Sequence, residues 1–272
     1  MSVLTRANGK HARRAAAFAI ILAPAAWFAP IPTAIMLACG VLDVSRHHKV
    51  TYQLIEEYFT GKGLLTWLLS PINLLADLLS RKPRGAVPFA ALPAECQREI
   101  ETCVAAFVDE RALITEAIRP QMEKGRRAML AFRWFGSPMP TPIRVAAFEQ
   151  PFRYVKTIAV STFRGREQTS WHFGPQRLTY RVLRNLDPID SADVYIAVDD
   201  RVHFWNAEPL LIFDDTMFHK SVNGVDALRY CLFVDIIRPN RFHAGFELAV
   251  KTMSLLAGSF RAMFYKNWSF VR

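Results

Sequence analysis

The chain has few cysteines and few acidic residues, and each shortage excludes classes of protein. Four cysteines in 272 residues, none of them in a Cys-x-x-Cys pair, are too few for a disulfide framework and argue against a zinc knuckle. Cys39 lies in an apolar run and Cys231 in a predicted core strand, so we interpret both as packing residues. This cysteine usage is consistent with a reducing, cytosolic setting.

Acidic residues are outnumbered, with 24 Asp and Glu against 34 Lys and Arg, a formal net charge of +10 and a pI near 9.7. Such a balance indicates an anionic partner, either nucleic acid or a membrane surface. Nucleic-acid-binding modules usually cluster basic residues with exposed aromatics. Here the basic residues are scattered and many flank apolar runs, which favours a membrane surface over nucleic acid. No obligate protein partner is evident.

Charge is absent from residues 15–42, a run of 28 residues that is long enough to span a bilayer and too long for the apolar part of a cleaved signal peptide. Pro24, Pro30 and Pro32 argue against one straight helix, because each removes a backbone donor. Basic residues flank both ends, and the positive-inside rule would keep both on the cytoplasmic side. A re-entrant hairpin and a single span both remain open.

Residues 64–79 are apolar but short, and they include Pro71, Asn73 and Asp77. This pattern predicts an interfacial helix pair, with a buried helix of the catalytic domain as the alternative. Together with residues 15–42 it defines a predicted membrane-anchoring region over residues 1–82.

The remainder predicts a mainly β fold with flanking helices. Residues 94–130 have helical spacing, and the proline- and aromatic-rich residues 131–152 predict an irregular segment that could wall a pocket. From residue 155 onward, six short segments rich in β-branched and aromatic residues predict a barrel or jelly roll: VKTIAVSTF, LTYRVLR, ADVYIAV, RVHFW, LLIFDD and RYCLFVDII. The predicted domain covers residues 94–240. An amphipathic helix follows over 241–272 and either packs on the barrel or lies on the membrane.

Two histidines lie where a jelly roll can direct both side chains into its mouth: His172, in WHFGP, and His219, after an apolar strand. The usual non-haem iron site has two histidines and a carboxylate, often two residues after the first histidine. Here that position is Gly174, which cannot bind a metal. Asp214 and Asp215 could orient a ligand beside the metal, or they could simply begin a turn.

Two arginines lie among apolar residues on predicted strands, Arg181 in LTYRVLR and Arg229 in RYCLFVDII. A buried charge needs a partner, and a guanidinium can bind both oxygens of a carboxylate. Arginines near two histidines fit an iron site with a dicarboxylate co-substrate. Salt bridges to Asp214 or Asp235 are the alternative.

As a set, WHFGP, LTYRVLR, LLIFDDTMFH, RYCLFVDIIRP and the ten-residue gap from His219 to Arg229 resemble the aspartyl/asparaginyl β-hydroxylase family, over roughly residues 157–239. The resemblance implies an Fe(II)- and 2-oxoglutarate-dependent dioxygenase that uses O2, on a double-stranded β-helix. Such family members lack the third carboxylate ligand, which accounts for Gly174.

The resemblance implies roles by position, and the residues concerned are His172 and His219 as iron ligands, Arg229 and Arg181 as partners of 2-oxoglutarate, Ser161 as a co-substrate hydroxyl and Asp215 as a carboxylate beside the metal. One position departs from the family: a histidine often found two residues after the position of Arg181 is Leu183 here. Part of the co-substrate contact is therefore expected to differ.

Outside this core, the apolar N-terminus, LLTWLLSPINLLADLLS and DIIRPNRF resemble the membrane-bound, lipid-hydroxylating branch of the family, which includes lipid A and ornithine-lipid hydroxylases. We therefore expect hydroxylation at C2 of a lipid-linked acyl chain, at a bacterial-type inner membrane with the catalytic domain facing the cytoplasm. Hydroxylation of an aspartyl or asparaginyl side chain in a peptide is the main alternative. A non-catalytic jelly-roll binding protein is a third hypothesis.

Overall fold

The computed structural model describes residues 3–80, 85–257 and 268–271. The helices are α1 Val3–Phe28, α2 Pro30–Val44, α3 Tyr52–Thr60, α4 Leu64–Leu68, α5 Ser70–Leu79, α6 Ala94–Asp109, α7 Arg111–Lys124 and α8 His243–Ala257. The strands are β1 Arg127–Trp134, β2 Ser137–Pro138, β3 Val155–Phe163, β4 Glu167–Gln168, β5 Thr179–Asn185, β6 Val194–Val198, β7 Arg201–Phe204, β8 Leu210–Phe213, β9 His219–Asn223, β10 Arg229–Ile237 and β11 Ser269–Phe270.

The strands of the described residues form two sheets. The larger has the order β11-β1-β3-β10-β5-β8, with β2 on β1, and the smaller has the order β4-β9-β6-β7. Neighbours are antiparallel except for β11, which is parallel to β1. Alternate residues of β10 face opposite ways: Leu232 and Val234 pack with α6 and α7, and Cys231 and Phe233 pack with Ile196 of the smaller sheet. The predicted mainly β fold with flanking helices is confirmed.

Strand β1 replaces part of the irregular segment predicted over residues 131–152. It lies inside the larger sheet, pairing from Arg127 opposite Phe163 to Arg133 opposite Ile158. Nearly every residue of β1 is buried, since helices cover one face of the sheet and the smaller sheet covers the other. The strand therefore lacks the alternation of polar and apolar residues that identifies a half-buried strand.

The uncharged run at the N-terminus forms two helices that fold back on each other. The helices separate at Ala29, whose φ of −142° and ψ of 63° are not helical, and Pro30 begins α2 where no backbone donor is needed. Phe18 and Leu37 meet in one cluster with Trp67, whereas in one straight helix they would be about 28 Å apart. Of the two alternatives left open, one straight helix over the uncharged run does not fit this arrangement, whereas a helical hairpin does. No helix in the described ranges combines the length and the apolarity required to cross a membrane.

Helices α4 and α5 form the predicted helix pair, and α5 has two different faces. Asn73, Ala76 and Asp77 are buried, whereas Ile72, Leu75 and Leu78 are exposed on the other side of α5; Leu64 and Leu68 of α4 are exposed as well. Helix α8 packs its Phe246 and Val250 against Ala76. The helix pair thus packs against the β sheets with one face and exposes an apolar surface with the other.

The predicted C-terminal helix is only partly described. Helix α8 ends at Ala257, and residues 258–267 lie outside the described ranges. The helix does not continue to residue 272, because Ser269 and Phe270 form β11 and hydrogen-bond along the edge of β1. This pairing covers backbone groups that an edge strand would leave open.

Candidate active site

His172 and His219 are brought together by the backbone. The two residues form an isolated antiparallel bridge, in which each backbone N–H donates to the other's carbonyl at 2.9 and 3.0 Å. Their rings lie side by side with centroids 4.1 Å apart. His219 begins β9, a strand that the sequence did not predict because its buried positions are polar. Two imidazoles far apart in sequence thus share one edge of the smaller sheet.

Both histidines are held through Nδ1, so the same ring nitrogen, Nε2, is left to bind a metal in each. Nδ1 of His172 lies 2.8 Å from the carbonyl of Ser170, and Nδ1 of His219 lies 2.7 Å from that of Met217. A carbonyl can only accept, so Nδ1 carries the proton and Nε2 keeps its lone pair. Burial lowers the pKa of His172 to about 3 and that of His219 to about 4, which leaves both rings neutral at pH 7. Neutral imidazoles oriented by carbonyls are the form that binds a metal.

Asp215 occupies the space next to His219 that a side chain at position 174 would need. Its Oδ1 lies 3.4 Å from Nε2 of His219. A Cβ built on Gly174 would overlap Oδ2 of Asp215 and approach the Asp215 carbonyl oxygen to 2.9 Å. Glycine is therefore required at position 174 by close approach, and a carboxylate reaches the site from residue 215 instead.

Arg181 is paired with two carboxylates. Its Nη1 donates to Oδ1 of Asp215 at 2.8 Å, its Nε donates to Oδ1 of Asp235 at 2.8 Å, and its guanidinium lies 3.8 Å above the ring of Phe233. Burial raises the pKa of Asp235, an effect that Arg181 opposes. The salt-bridge alternative for Arg181 is therefore realised with Asp235. That Arg181 also binds 2-oxoglutarate stays a prediction.

Arg229 is buried, and no carboxylate among the described residues pairs with it. Its Nη2 donates to the hydroxyl of Ser221 at 2.8 Å, whereas Nε and Nη1 have no hydrogen-bond partner in the part of the chain that the structure describes. The guanidinium lies 4.6 Å from the ring centre of Phe163 and 5.7 Å from that of Trp205. Burial lowers the pKa of Arg229. The salt-bridge alternative does not apply to this arginine.

Arg229 and the histidines face the interior between the two sheets, which is called the chamber below. Along β9, His219 and Ser221 are both buried, and the half-buried Lys220 lies between them. Their side chains therefore point to the same face of the strand, about 7 Å apart. Since Arg229 binds Ser221, its guanidinium lies about one two-residue strand repeat from His219. Ser161 is buried in the same chamber opposite Cys231 and donates to its carbonyl at 3.3 Å.

A buried charge network, which the sequence analysis missed, supports the histidine loops. Its three arginines and three aspartates come from α2 and the turn after it, from α5 and from the barrel: Asp43, Arg46, Asp77, Arg177, Asp214 and Arg238. Arg177 binds Asp43 and reaches Asp77 at 3.0 Å. The signal that could have revealed the network is a single aspartate inside each of two apolar helices.

The charge network holds the residues just before His219. Arg46 binds Asp214 at 2.8 Å. Burial raises the pKa of Asp214, but Arg46 and Arg177 outweigh burial and hold that pKa well below its usual range. Nε2 of His47 also accepts the backbone N–H of Phe218 at 3.1 Å. The end of α2 therefore contacts the loop that carries His219.

The chain is similar to known hydroxylases over its β region. Residues 140–239 match the profile of the family described as Aspartyl/Asparaginyl beta-hydroxylase. A 91-residue segment is 33% identical to an ornithine lipid ester-linked acyl 2-hydroxylase of Rhizobium tropici, covering 33% of this chain and 32% of that protein. The aligned part therefore spans about a third of this relative's length.

Solved structures show only weak likeness. A prolyl-4-hydroxylase of Pseudomonas putida has a TM-score of 0.32 and 14% identity, covering 50% of this chain and all of that one. A viral collagen prolyl hydroxylase of Paramecium Bursaria Chlorella virus-1 has a TM-score of 0.33 and 11% identity, covering 52% and 91%. Likeness at this level bears on neither substrate nor cofactor. The profile match spans residues 140–239 and contains both histidines and Arg229, so the likeness to the aspartyl/asparaginyl β-hydroxylase family lies in the part of the chain that carries the candidate site.

Proposed function

We propose that the chain is an Fe(II)- and 2-oxoglutarate-dependent hydroxylase that acts on an acyl chain of a membrane lipid. The observation that carries this chemistry is Arg229, a buried cation without a carboxylate partner, in the chamber of two neutral imidazoles. Imidazole nitrogens suit Fe(II). A dicarboxylate that reaches from the histidines to Arg229 would supply the missing negative charge. The two facing sheets and the family match support a double-stranded β-helix.

The residues at the site fit an Fe(II) ion bound together with 2-oxoglutarate, and each would have a specific role. His172 and His219 would hold the iron through Nε2, with ring orientations set by the two carbonyls. When bound, iron and 2-oxoglutarate would supply the oxidising power needed to hydroxylate a C–H bond with O2. Arg229 would bind the distal carboxylate of 2-oxoglutarate. Asp215, held by Arg181, would accept hydrogen bonds beside His219 and orient what binds there.

The outer surface of the helices supports a lipid substrate. Large apolar side chains on α1, α2 and α5 are exposed, among them Ile20, Ile21, Trp27, Phe28, Ile31, Leu75 and Leu78. An exposed apolar surface of this size is typical of a membrane or partner contact, and the net charge of +10 favours an anionic membrane. The chain's similarity to a relative named for acyl 2-hydroxylation supports C2 as the position.

The proposed location is the cytoplasmic face of a bacterial-type inner membrane, because 2-oxoglutarate is a cytosolic metabolite. The helical hairpin would lie in one leaflet, with α5 at the interface. The charge network would then keep the histidine loops next to that surface, where acyl chains are available.

Mass spectrometry of lipids tests the proposal directly. Cells that express the chain should contain a lipid with one additional oxygen atom, and fragmentation should place that oxygen at C2 of an acyl chain. His172→Ala and His219→Ala should abolish the product, whereas Arg144→Met, at an exposed position, should not. Unchanged lipids together with a hydroxylated aspartyl or asparaginyl peptide would favour the alternative substrate. Turnover in either histidine variant would exclude the proposed metal site.

A further inference from the structure

Polar atoms without partners surround Arg229. Trp205 Nε1 and both amide atoms of Asn185 are buried and have no hydrogen-bond partner within residues 3–80, 85–257 and 268–271. The same holds for two nitrogens of Arg229 itself. Trp205 is 2% exposed and Asn185 is 3% exposed, so bulk solvent does not satisfy them. Leaving a buried polar group unpaired is costly, and folded proteins contain few such groups.

The strand register places these groups together. Asn185 at the end of β5 lies opposite Cys231 of β10, and Arg229 lies two residues before Cys231 on the same face of that strand. Trp205 follows β7 and packs in the cluster between the sheets, with its ring centre 5.7 Å from the Arg229 guanidinium carbon. All three side chains therefore belong to the same end of the chamber.

The hydrogen-bond donors of Trp205, Asn185 and Arg229 together match the acceptors of a carboxylate. The indole N–H of Trp205 and the amide N–H of Asn185 are donors, and Arg229 contributes a positive charge with two more N–H groups. A carboxylate has two oxygens that together accept about four hydrogen bonds, so it can satisfy several of these donors at once. Leu183, the departure from the family pattern, is buried in the apolar cluster between the sheets and offers no hydrogen bond.

We propose that Trp205 and Asn185 complete, together with Arg229, the pocket that receives the distal carboxylate of 2-oxoglutarate. This inference rests on the proposed function and adds two binding residues to it. Trp205 Nε1 and Asn185 Nδ2 lack acceptors in the protein because the carboxylate of the ligand provides them. The two residues would make the site select a dicarboxylate over a 2-oxo acid that ends in a methyl group.

Direct binding measurements test the inference without turnover. Isothermal titration calorimetry of the Mn(II)-loaded protein would compare 2-oxoglutarate with 2-oxobutanoate, which lacks the distal carboxylate. Trp205→Phe keeps an aromatic ring and removes the N–H, and Asn185→Leu keeps the branched shape and removes the amide. Each variant should weaken 2-oxoglutarate binding on the order of tenfold to a hundredfold, with 2-oxobutanoate affinity unchanged. The ratio of the affinities for 2-oxoglutarate and 2-oxobutanoate should therefore be smaller in each variant than in the wild-type protein.

A matched control separates ligand binding from packing. Nε1 of Trp67 donates to the carbonyl of Met36 at 2.9 Å, so Trp67→Phe should lower the melting temperature and leave 2-oxoglutarate affinity unchanged. Asn185→Leu should not lower the melting temperature of the ligand-free protein, because the lost amide has no partner there.

The outcomes distinguish this inference from the proposed function. If the wild-type protein does not bind 2-oxoglutarate, the proposed function fails and the inference fails with it. If Arg229→Met loses binding while Trp205→Phe and Asn185→Leu bind like wild type, only the inference is overturned. Equal weakening toward both acids in these two variants would also overturn it, since the effect would not then lie at the distal carboxylate.

Discussion

At the scale of single residues, the two arginines of the chamber differ in whether their charge is matched. Arg181 binds Asp215 and Asp235, whereas Arg229 has only a hydroxyl partner. The sequence predicted both arginines at the site, since each interrupts an apolar strand. It could not predict the difference, because pairing depends on which carboxylates the sheet register places opposite each arginine.

Replacing each arginine by methionine should separate binding from stability. Arg229→Met removes an unpaired buried charge, so the free energy of unfolding should stay unchanged or rise while 2-oxoglutarate-dependent turnover is lost. Arg181→Met leaves two carboxylates unpaired and should cost roughly 3–5 kcal/mol. Chemical denaturation, with turnover measured in parallel, checks both variants. A strongly destabilised Arg229→Met protein would contradict this account.

The histidines should make the metal-free protein sensitive to acid. The folded pKa of His219 is about 4 and the unfolded value is near 6.5, so below pH 6.5 the unfolded chain binds a proton that the folded chain does not. The free energy of unfolding should therefore fall as pH drops, by about 1.4 kcal/mol per pH unit from this group. His219→Gln should show a shallower decline in denaturation experiments between about pH 6.5 and pH 4.5. Identical slopes would contradict the assignment.

At the scale of elements, the sequence predicted strands where side chains were apolar and missed them where they were not. β3, β5, β8 and β10 lie where the apolar runs predicted strands. β9 was missed because its inward positions carry His219, Ser221 and Asn223, so the face that should look hydrophobic is polar. Burial on both faces hid β1. β9 and β1 were thus missed for opposite reasons, the one because its buried face is polar and the other because neither face is exposed.

The charge network is the element-scale feature that most affects folding. Arg177 is fully buried and binds aspartates from α2, α5 and the loop before His219. Arg177→Met should therefore destabilise the protein by roughly 3–5 kcal/mol, because buried carboxylates lose their partner. Chemical denaturation measures this effect. Arg144→Met removes an exposed ion pair with Glu149 and is the control; it should cause no measurable change.

At the scale of the whole molecule, the N-terminal helices do two things at once. One face is buried against the sheets through the charge network and an aromatic cluster that includes Tyr58, Trp67 and Phe173. The opposite face exposes large apolar side chains. The sequence predicted apolar, membrane-associated helices but gave no sign of the buried face. That face depends on the charges of Asp43 and Asp77, whose shared partner Arg177 lies 134 and 100 residues further along the chain.

Membrane binding can be tested at the tip of the hairpin. Trp27 and Phe28 are 83% and 84% exposed. Changing both to glutamate should weaken binding to anionic phospholipid vesicles roughly tenfold or more, with no loss of thermal stability, since neither side chain packs inside the protein. Sedimentation with vesicles measures the change. Val202→Glu, at an exposed apolar position on β7, should bind vesicles like wild type. Equal loss in both variants would argue against the hairpin as the contact.

The close approach of Gly174 and Asp215 has a consequence for related sequences. Because the carboxylate of Asp215 fills the space beside residue 174, the two positions cannot both carry an acidic side chain on this backbone. Relatives with aspartate at the position of Gly174 should carry a small residue at the position of Asp215, so the two positions should covary. In this chain, Gly174→Asp alone should weaken metal binding, because its side chain would collide with Asp215 close to both histidines. Adding Asp215→Gly removes the side-chain part of this collision and should restore part of the metal binding.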